Sequence, residues 1–578
     1  MNRLSIKITG PAGFGIKVTG VMLAKIFIRK GLNVFAYTEY PSLIRGGHNI
    51  YQIDISDKSV NSSKEKCDIL IALDKKSIEV ESKNLSKNGI ILYDENFGKI
   101  PAQKNIQFVA VPFVELAKKA GEEIMKNTVA VGALLGILNL KLDEFNNILK
   151  QEFKDKKGVG EKNILAANLG KEFIEKNKNK LNSTGSFVAD TKRPAPQDRL
   201  LLTGNQATAL ATIASQCQVY VAYPMTPATD ILHILEAKQK QTKMLVHQPE
   251  DEIAGIHFAL GASFAGARSA TGTSGGGFAL MNEGLSLAGM LELPIVIFEV
   301  QRPGPATGNP TWTEQGDLNF VINSGHGEFP KIVLTPGAPE QIFSLVQRAF
   351  NLADKFQTPV IVLTDKHLGE SSFTVLKNVF NKIEKIDRGK IIKEIKNTKN
   401  VFARYKFEKD GVSWRAIPGV GGGEHIANSD EHNEVGFSNE LSQVRKKMMD
   451  KRMNKLEEIR KEIPLPKIYG PKNADTTLVC WGSTFGACFD AILEINKSKV
   501  KSQKLKVNVL HFEFVWPLCK NLDKFLSKFK KLVLVENNKT AQLGKLIQQE
   551  TGIEIKNKIL KYDSRPFWVE EIISKLKK

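Results

Sequence analysis

Three positions in the middle of the chain could together handle a carboxylate and a proton. The first is Thr226, within Tyr223-Pro224-Met225-Thr226-Pro227-Ala228-Thr229-Asp230. Pro224 and Pro227 fix φ on both sides of it and bias Tyr223 and Thr226 toward extended geometry, so a stiff backbone presents the threonine hydroxyl. Thr229 or Asp230 can then cap a helix that continues through Ile231, Leu232, Ile234 and Leu235. The second is the acidic run Glu250-Asp251-Glu252, which opens a passage rich in Gly and Ala whose small residues let backbones approach a ligand. A carboxyl at the head of such a helix loses water, which raises its pKa and suits it to partner a basic ring nitrogen. The third is Arg302, directly after the apolar run 295–300, where a guanidinium can clamp a carboxylate with two parallel hydrogen bonds. From the residues alone, each position also reads as an ordinary feature: a two-proline loop, a solvated helix start and a surface arginine.

Strand, stiff turn and helix describe the carboxyl edge of a parallel α/β sheet, where ligands bind. The region from Leu200 has apolar runs at 219–222, 295–300, 332–334 and 360–363, short buried strands that imply a parallel sheet covered on both faces. Ahead of it, a strand at 4–9, the glycine loop Gly10-Pro11-Ala12-Gly13-Phe14-Gly15, a helix at 16–30 and a strand at 33–37 read as a βαβ unit. Further strands follow at 68–73, 90–94 and 108–112, then helices from 114 toward 180. Residues 183–199 are rich in Ser, Thr, Pro and Lys and mark a linker. From 377 to 410 the chain carries eleven Lys or Arg against five Asp or Glu, followed by a glycine-rich loop at 419–423. A helix is expected at 444–463, with Val444, Met448, Leu456, Ile459 and Ile463 as its stripe and Pro464 as its stop. A third α/β region has strands at 477–481, 507–512 and 531–536.

The bulk numbers narrow the function classes. The 578 residues suit several domains, and no apolar run approaches the roughly 20 residues of a membrane span. The amino end lacks a signal-peptide pattern, so a cytoplasmic protein is expected. Cys67, Cys217, Cys480, Cys488 and Cys519 lie far apart with no CxxC pair, so neither a disulfide framework nor a local zinc or iron–sulfur site is written here. The net charge of +20 is spread over scattered lysines with no nucleic-acid module, and such a surface can steer anions or an acidic protein. His425 and His432, with Glu424 and Glu431 beside them, make a weak metal motif that lacks a third ligand at short spacing. Gly10, Gly13 and Gly15 approximate a dinucleotide fingerprint, with Glu39 about 20 residues on. Their order is G-x-x-G-x-G rather than G-x-G-x-x-G.

Several strings carry a family resemblance in order. YPMTPATD, then EDEIAG with GASFAGARSATGTSGGGFALM, then VQRPGPATGNPTWTEQGDL together resemble the α subunit of the 2-oxoacid:ferredoxin oxidoreductases. GPAGFGIKVTG with YPSLIRGGHNIYQIDIS resembles the γ subunit of the same enzymes, here fused ahead of α. GVSWRAIPG, EHNEVG and VLVENNKTAQLGKL resemble the rest of α.

The resemblance implies a multidomain α/β fold. It has a γ-type α/β domain over 1–182, a linker over 183–199 and a thiamine-diphosphate-binding, pyrimidine-type doubly wound domain over 200–376. A basic connecting excursion and helix follow over 377–464, then a transketolase C-terminal-like α/β domain over 465–578. It also implies oxidative decarboxylation of a 2-oxoacid with coenzyme A to acyl-CoA, carbon dioxide and reduced ferredoxin. Glu252 matches the glutamate that hydrogen-bonds the thiamine aminopyrimidine, with Glu250 as the fallback. Thr226 and Arg302 match substrate-carboxylate binders, and Tyr223 and Pro224 shape their loop. Gly13, Arg45, Gly46 and Gly47 are expected to serve coenzyme A or subunit packing, with a plain glycine turn as the rival reading. The family's GDG motif for diphosphate and magnesium is absent, as is any ferredoxin-like cysteine cluster. Diphosphate, magnesium and a 4Fe-4S cluster are therefore expected from a β subunit, in a dimer of αβ units that reduces ferredoxin and binds neither nucleic acid nor membrane. The alternatives are a noncatalytic assembly subunit of such a complex and, from the charge, a nucleic-acid-binding protein. The context leans toward 2-oxoglutarate over pyruvate or branched-chain oxoacids.

Overall fold

The computed structural model describes residues 3–43, 46–101, 103–178, 198–395, 401–497 and 505–577. Arg45 and residues 183–197 of the expected linker lie outside them. Contacts divide the chain into two compact units. One comprises residues 1–202, 371–377 and 568–578, and the other 203–370 and 378–567.

The first unit holds an eight-stranded sheet in the order Ile106–Val111, Leu85–Asp94, Cys67–Ala72, Leu4–Ala12, Gly46–Ser56, Asn33–Glu39, Ser372–Leu376, Arg199–Thr203. The expected βαβ unit needs correction. Gly46–Ser56 inserts between Leu4–Ala12 and Asn33–Glu39 and pairs antiparallel with both. Its two faces explain the insertion: Tyr51, Ile53 and Ile55 are buried on one side. On the other, Gln52 donates to Ser5 Oγ at 3.0 Å and Asp54 accepts from Arg3 Nε at 3.0 Å, so buried polar groups are paired. Helices Lys126–Ile137 and Val159–Lys176 pack so closely that a Cβ on Gly132 would lie 2.0 Å from the Ala167 carbonyl.

The second unit holds a seven-stranded sheet in the order Phe514–Trp516, Ile332–Leu334, Pro359–Asp365, Ile295–Gln301, Ser269–Thr273, Val219–Val221, Leu245–His247. Its neighbours run parallel except Phe514–Trp516, which is antiparallel to Ile332–Leu334. Ser269–Thr273 is a central strand that the glycine-rich sequence around it concealed. A five-stranded sheet in the same unit runs Lys467–Tyr469, Val507–Phe512, Thr476–Trp481, Leu532–Glu536, Asn557–Leu560.

The long helix spans Ser442–Glu462. Met448 and Ile459 are buried as the apolar stripe expects, yet Lys451, Arg452 and Lys455 are buried beside them. Lys451 and Lys455 both reach the buried Glu292 carboxylate, and Arg452 pairs with Glu431 at 2.7 Å. Part of the basic content is thus internal and shares buried carboxylates, which a count of lysines cannot reveal.

Candidate active site

The stiff turn begins two residues after strand Val219–Val221. Asn205 Nδ2 donates to the Pro227 carbonyl at 2.9 Å, and the Ala228 N–H donates to the Met225 carbonyl at 2.8 Å. The Thr226–Pro227 peptide is cis. The expected cap is not found: Thr229 is already the first helical residue of Thr229–Thr242, and Ala228 at the N-cap has no side chain to offer. Tyr223 is exposed, while Pro224, Met225 and Thr226 are half-buried. Arg302 follows strand Ile295–Gln301, and its Nη1 donates to the Thr226 carbonyl at 2.8 Å. The Arg302 Nε is buried and has no hydrogen-bond partner, so one donor of the fork is left for a ligand.

Glu252 opens helix Glu252–Phe264, which Asp251 caps by accepting from the Ala254 N–H at 2.8 Å. The Glu252 side chain is 3% exposed, and its Oε1 is buried without a hydrogen-bond partner. A glycine makes room for it. A Cβ on Gly277 would sit 2.6 Å from Glu252 Oε1 and 2.1 Å from Thr273 Oγ1. Burial raises the Glu252 pKa above the ordinary carboxylate value and Asp251 adds to the effect, while the Arg302 charge opposes it. Glu250, two residues earlier, is exposed. A carboxyl held this way can donate to, or accept from, a ring nitrogen, and a guanidinium close enough to influence it can hold an anion.

In the first unit, Ala12 and Gly46 are ladder partners, which brings the loop of Gly13 beside Gly46 and Gly47. All three glycines have positive φ, at 89°, 75° and 71°. A Cβ on Gly47 would meet Pro41 Cγ at 2.3 Å, whereas those on Gly13 and Gly46 would meet open space. The dinucleotide reading fits poorly here, because Gly46–Ser56 separates the glycine-loop strand from the strand that ends in Glu39. His432 is buried against the Tyr405 ring at 4.1 Å, and His425 lies among Phe264, Phe402 and Tyr405. Both act as packed aromatic rings, and no group of three or more His, Cys, Asp or Glu that could hold a metal occurs among the described residues.

Sequence reasoning missed three neighbouring acids near the end of this strand: Glu299, Asp317 and Asp365. Glu299 and Asp365 are fully buried, and Asp317 influences both Glu299 and Arg302. The signal was available, because Glu299 interrupts the otherwise apolar run 295–300.

The edge of the parallel sheet thus carries a dehydrated glutamate in a glycine notch and an arginine with an unpartnered Nε, groups whose chemistry suits a ring nitrogen and an anion. Residues 210–451 match the family model "Pyruvate flavodoxin/ferredoxin oxidoreductase, thiamine diP-bdg", and residues 5–173 match "Pyruvate ferredoxin/flavodoxin oxidoreductase". The 2-oxoacid:ferredoxin oxidoreductase subunit alpha of a Sulfolobus species is 34% identical over 99% of this chain and 96% of its own length. The 2-oxoglutarate oxidoreductase subunit KorA of Mycobacterium tuberculosis is 28% identical over 99% and 91%. A solved 2-oxoglutarate:ferredoxin oxidoreductase from Magnetococcus marinus, with 2-oxoglutarate, coenzyme A and succinyl-CoA bound, superposes with a TM-score of 0.91 at 31% identity over 100% and 99% of the two chains. The chain belongs to the 2-oxoacid:ferredoxin oxidoreductase family as its α subunit, with the γ-like domain fused at its amino end. It is thus a subunit of a 2-oxoacid:ferredoxin oxidoreductase. No helix among the described residues is long and apolar enough to cross a membrane.

Proposed function

We propose that this chain supplies one wall of the catalytic centre, the wall that activates thiamine and holds the substrate carboxylate. The observation that carries the reading is the Glu252 side chain, buried in the Gly277 notch with Oε1 unpartnered and Arg302 within electrostatic reach. An orphaned buried carboxyl oxygen is costly unless a ligand completes it, and an aminopyrimidine nitrogen would do so. Thiamine diphosphate, when bound, supplies the carbanion chemistry that makes loss of carbon dioxide feasible. Glu252 holds and moves a proton at the pyrimidine ring. Arg302, anchored to the Thr226 carbonyl, orients the substrate carboxylate through its free Nε, and the Thr226 hydroxyl adds a second contact. Tyr223 and Pro224 keep that loop in place.

Diphosphate, magnesium and the 4Fe-4S cluster belong to a β subunit in this reading, because the chain carries neither a GDG motif nor a cysteine cluster. The assembly is a dimer of αβ units in the cytoplasm. Coenzyme A is the acyl acceptor, and the glycines beside the Ala12–Gly46 register, with Arg45, are proposed to contact it. Ferredoxin receives the electrons, and the positive surface suits an acidic carrier. For substrate we favour 2-oxoglutarate, on the sequence context of YPMTP with its fused γ domain and on the M. marinus and M. tuberculosis relatives.

The test is to co-purify the chain with its β partner, assay thiamine and iron, and measure viologen reduction with 2-oxoglutarate, pyruvate and branched-chain oxoacids plus coenzyme A. Highest turnover with 2-oxoglutarate is expected. A complex that binds thiamine yet reduces nothing with any 2-oxoacid would leave only the assembly role.

A further inference from the structure

We propose that the loop following Arg302 fills the carboxyl-edge crevice of the five-stranded sheet, and that Gln315, seated in that crevice, is a positioning residue for the arginine. The proposal rests on reading Arg302 as the substrate clamp. In an open parallel sheet, ligands ordinarily bind in the crevice between two neighbouring strands whose connections leave in opposite directions. Here those strands are Thr476–Trp481 and Leu532–Glu536. They are parallel neighbours, and the chain leaving Thr476–Trp481 turns the other way, to Val507–Phe512. Both sheets and the loop belong to the second unit.

Gln315 enters between the carboxyl ends of the two strands. Its Nε2 donates to the Trp481 carbonyl at 3.0 Å, and its Oε1 accepts from Thr484 Oγ1 at 2.6 Å and from the Asn537 N–H at 3.2 Å. Its own N–H donates to the Asn537 carbonyl at 2.8 Å, and its carbonyl accepts from Asn538 Nδ2 at 3.1 Å. The side chain is fully buried, and a Cβ on Gly482 would lie 2.6 Å from its Nε2, so a glycine opens the seat. The buried acid beside it, Glu536, is already satisfied: Trp481 Nε1, Asn538 Nδ2 and the N–H groups of Leu543 and Gly544 donate to it at 2.7 to 3.2 Å. One residue on, Gln542 Nε2 donates to the Gly316 carbonyl at 2.7 Å, and its Oε1 accepts from the Asn319 N–H at 2.8 Å. An amide offers both a donor and an acceptor to such a seat, whereas an alkyl side chain would leave the Trp481 carbonyl and the Thr484 hydroxyl without these partners. The strings VQRPGPATGNPTWTEQGDL and VLVENNKTAQLGKL therefore meet, one as the occupant and the other as a wall.

The same loop is tied to both backbone neighbours of Arg302. The Asp317 N–H donates to Gln301 Oε1 at 3.0 Å, and the Asn309 N–H donates to the Pro303 carbonyl at 3.0 Å. Midway, Asn309 Nδ2 donates to Ser564 Oγ at 2.9 Å, and the Arg565 guanidinium stacks 3.2 Å from the centre of the Trp312 ring. Ser564 and Arg565 follow Asn557–Leu560, the last strand of the five-stranded sheet. The loop thus fastens the main chain on either side of Arg302 to that sheet, while the Thr226 carbonyl holds the guanidinium. Thr313 also bonds Asp365 of the seven-stranded sheet at 3.3 Å, so losing Gln315 loosens the loop without freeing it. The five-stranded sheet acts on substrate affinity through Arg302.

The experiment uses the reconstituted complex with the β subunit and measures KM for its best 2-oxoacid and for coenzyme A, with amide hydrogen exchange of the loop as a second reading. In Q315A the 2-oxoacid KM should rise roughly tenfold while the coenzyme A KM stays within about twofold, because the loss is confined to the placement of Arg302. Residues 303–317 should exchange faster, with strand Ile295–Gln301 unchanged. At the half-buried Trp312, W312A should raise the 2-oxoacid KM about threefold, and W312F, which keeps a ring face for Arg565, should restore it. The proposal is overturned if both KM values rise together in Q315A, as a general loss of structure would make them, or if neither moves while R302A raises the 2-oxoacid KM. Should Q315A fail to fold, the Trp312 pair decides: a rise reversed by phenylalanine supports the proposal, and equal KM values refute it. An unchanged 2-oxoacid KM in R302A would sink the clamp reading itself. Exchange in Q315A then judges the crevice alone, faster loop exchange supporting the seat and unchanged exchange refuting it.

Discussion

Arg302 donates its Nη1–H to the backbone carbonyl of Thr226, 2.8 Å away, and not to the threonine hydroxyl. The arginine that ends one strand is thus anchored by the main chain of the turn that follows another, so its anchor is insensitive to which side chain occupies 226. The hydroxyl takes no part in that anchor.

This separates two substitutions. Arg302→Ala should raise the 2-oxoacid KM by roughly 10- to 100-fold, because it removes charge-assisted hydrogen bonds. Thr226→Ala keeps the anchor and loses at most one neutral bond, for about tenfold or less. Steady-state kinetics of the two variants in the assembled complex make the comparison. Equal losses would show that the hydroxyl, not the carbonyl, organises the clamp.

On the role proposed for Glu252, Glu252→Gln removes the exchangeable proton of the buried carboxyl while keeping its shape. Turnover should fall by at least about 100-fold with the thermal midpoint little changed. Glu250→Gln, at an exposed position, should be near wild type. The reverse ranking would move the cofactor-activating role to Glu250.

Gly277→Ala tests the notch. The added methyl would lie 2.1 Å from Thr273 Oγ1 and 2.6 Å from Glu252 Oε1, so the helix start must shift. We expect a stability loss of about 1–3 kcal/mol together with a turnover defect resembling that of Glu252→Gln. Thiamine retention measured on the purified complex should drop as well, since the notch borders the carboxyl that would meet the pyrimidine.

The first unit offers a pH prediction. Glu81 is buried and accepts from Lys7 Nζ at 3.0 Å, His48 Nε2 at 3.0 Å and Asn84 Nδ2 at 3.2 Å. Burial alone would raise its pKa, but these donors, with the Lys7 charge, hold it down to about 2. A folded-state pKa below the unfolded value means that the stabilisation is present above about pH 4.5 and is lost as pH falls toward 2. Glu81→Gln should cost about 3 kcal/mol at neutral pH by leaving Lys7 buried without its counter-ion. It should also flatten the fall in the thermal midpoint between pH 4.5 and 2, and an unchanged acid slope would count against the assignment.

The sequence by itself determined the parallel sheet of the second unit and the residues placed at its edge. Buried strands such as 332–334 and 360–363 must be continuously apolar, and a turn between two prolines has few conformations. Thr226, Glu252 and Arg302 were therefore legible as candidates for chemistry, and the ordered motifs around them as a family. Tertiary structure decided what spacing cannot encode. It chose Glu252 over Glu250 for burial, because only the packed helix start points one of two nearby acids into the Gly277 notch. It slipped Gly46–Ser56 between two strands read as one βαβ unit, since hydrogen-bonded register is a long-range property. It buried Lys451 and Lys455 on Glu292, and it gathered Glu299, Asp317 and Asp365 from separate segments into one neighbourhood. Each outcome depends on which distant groups share a low-dielectric space, and only the folded chain settles that.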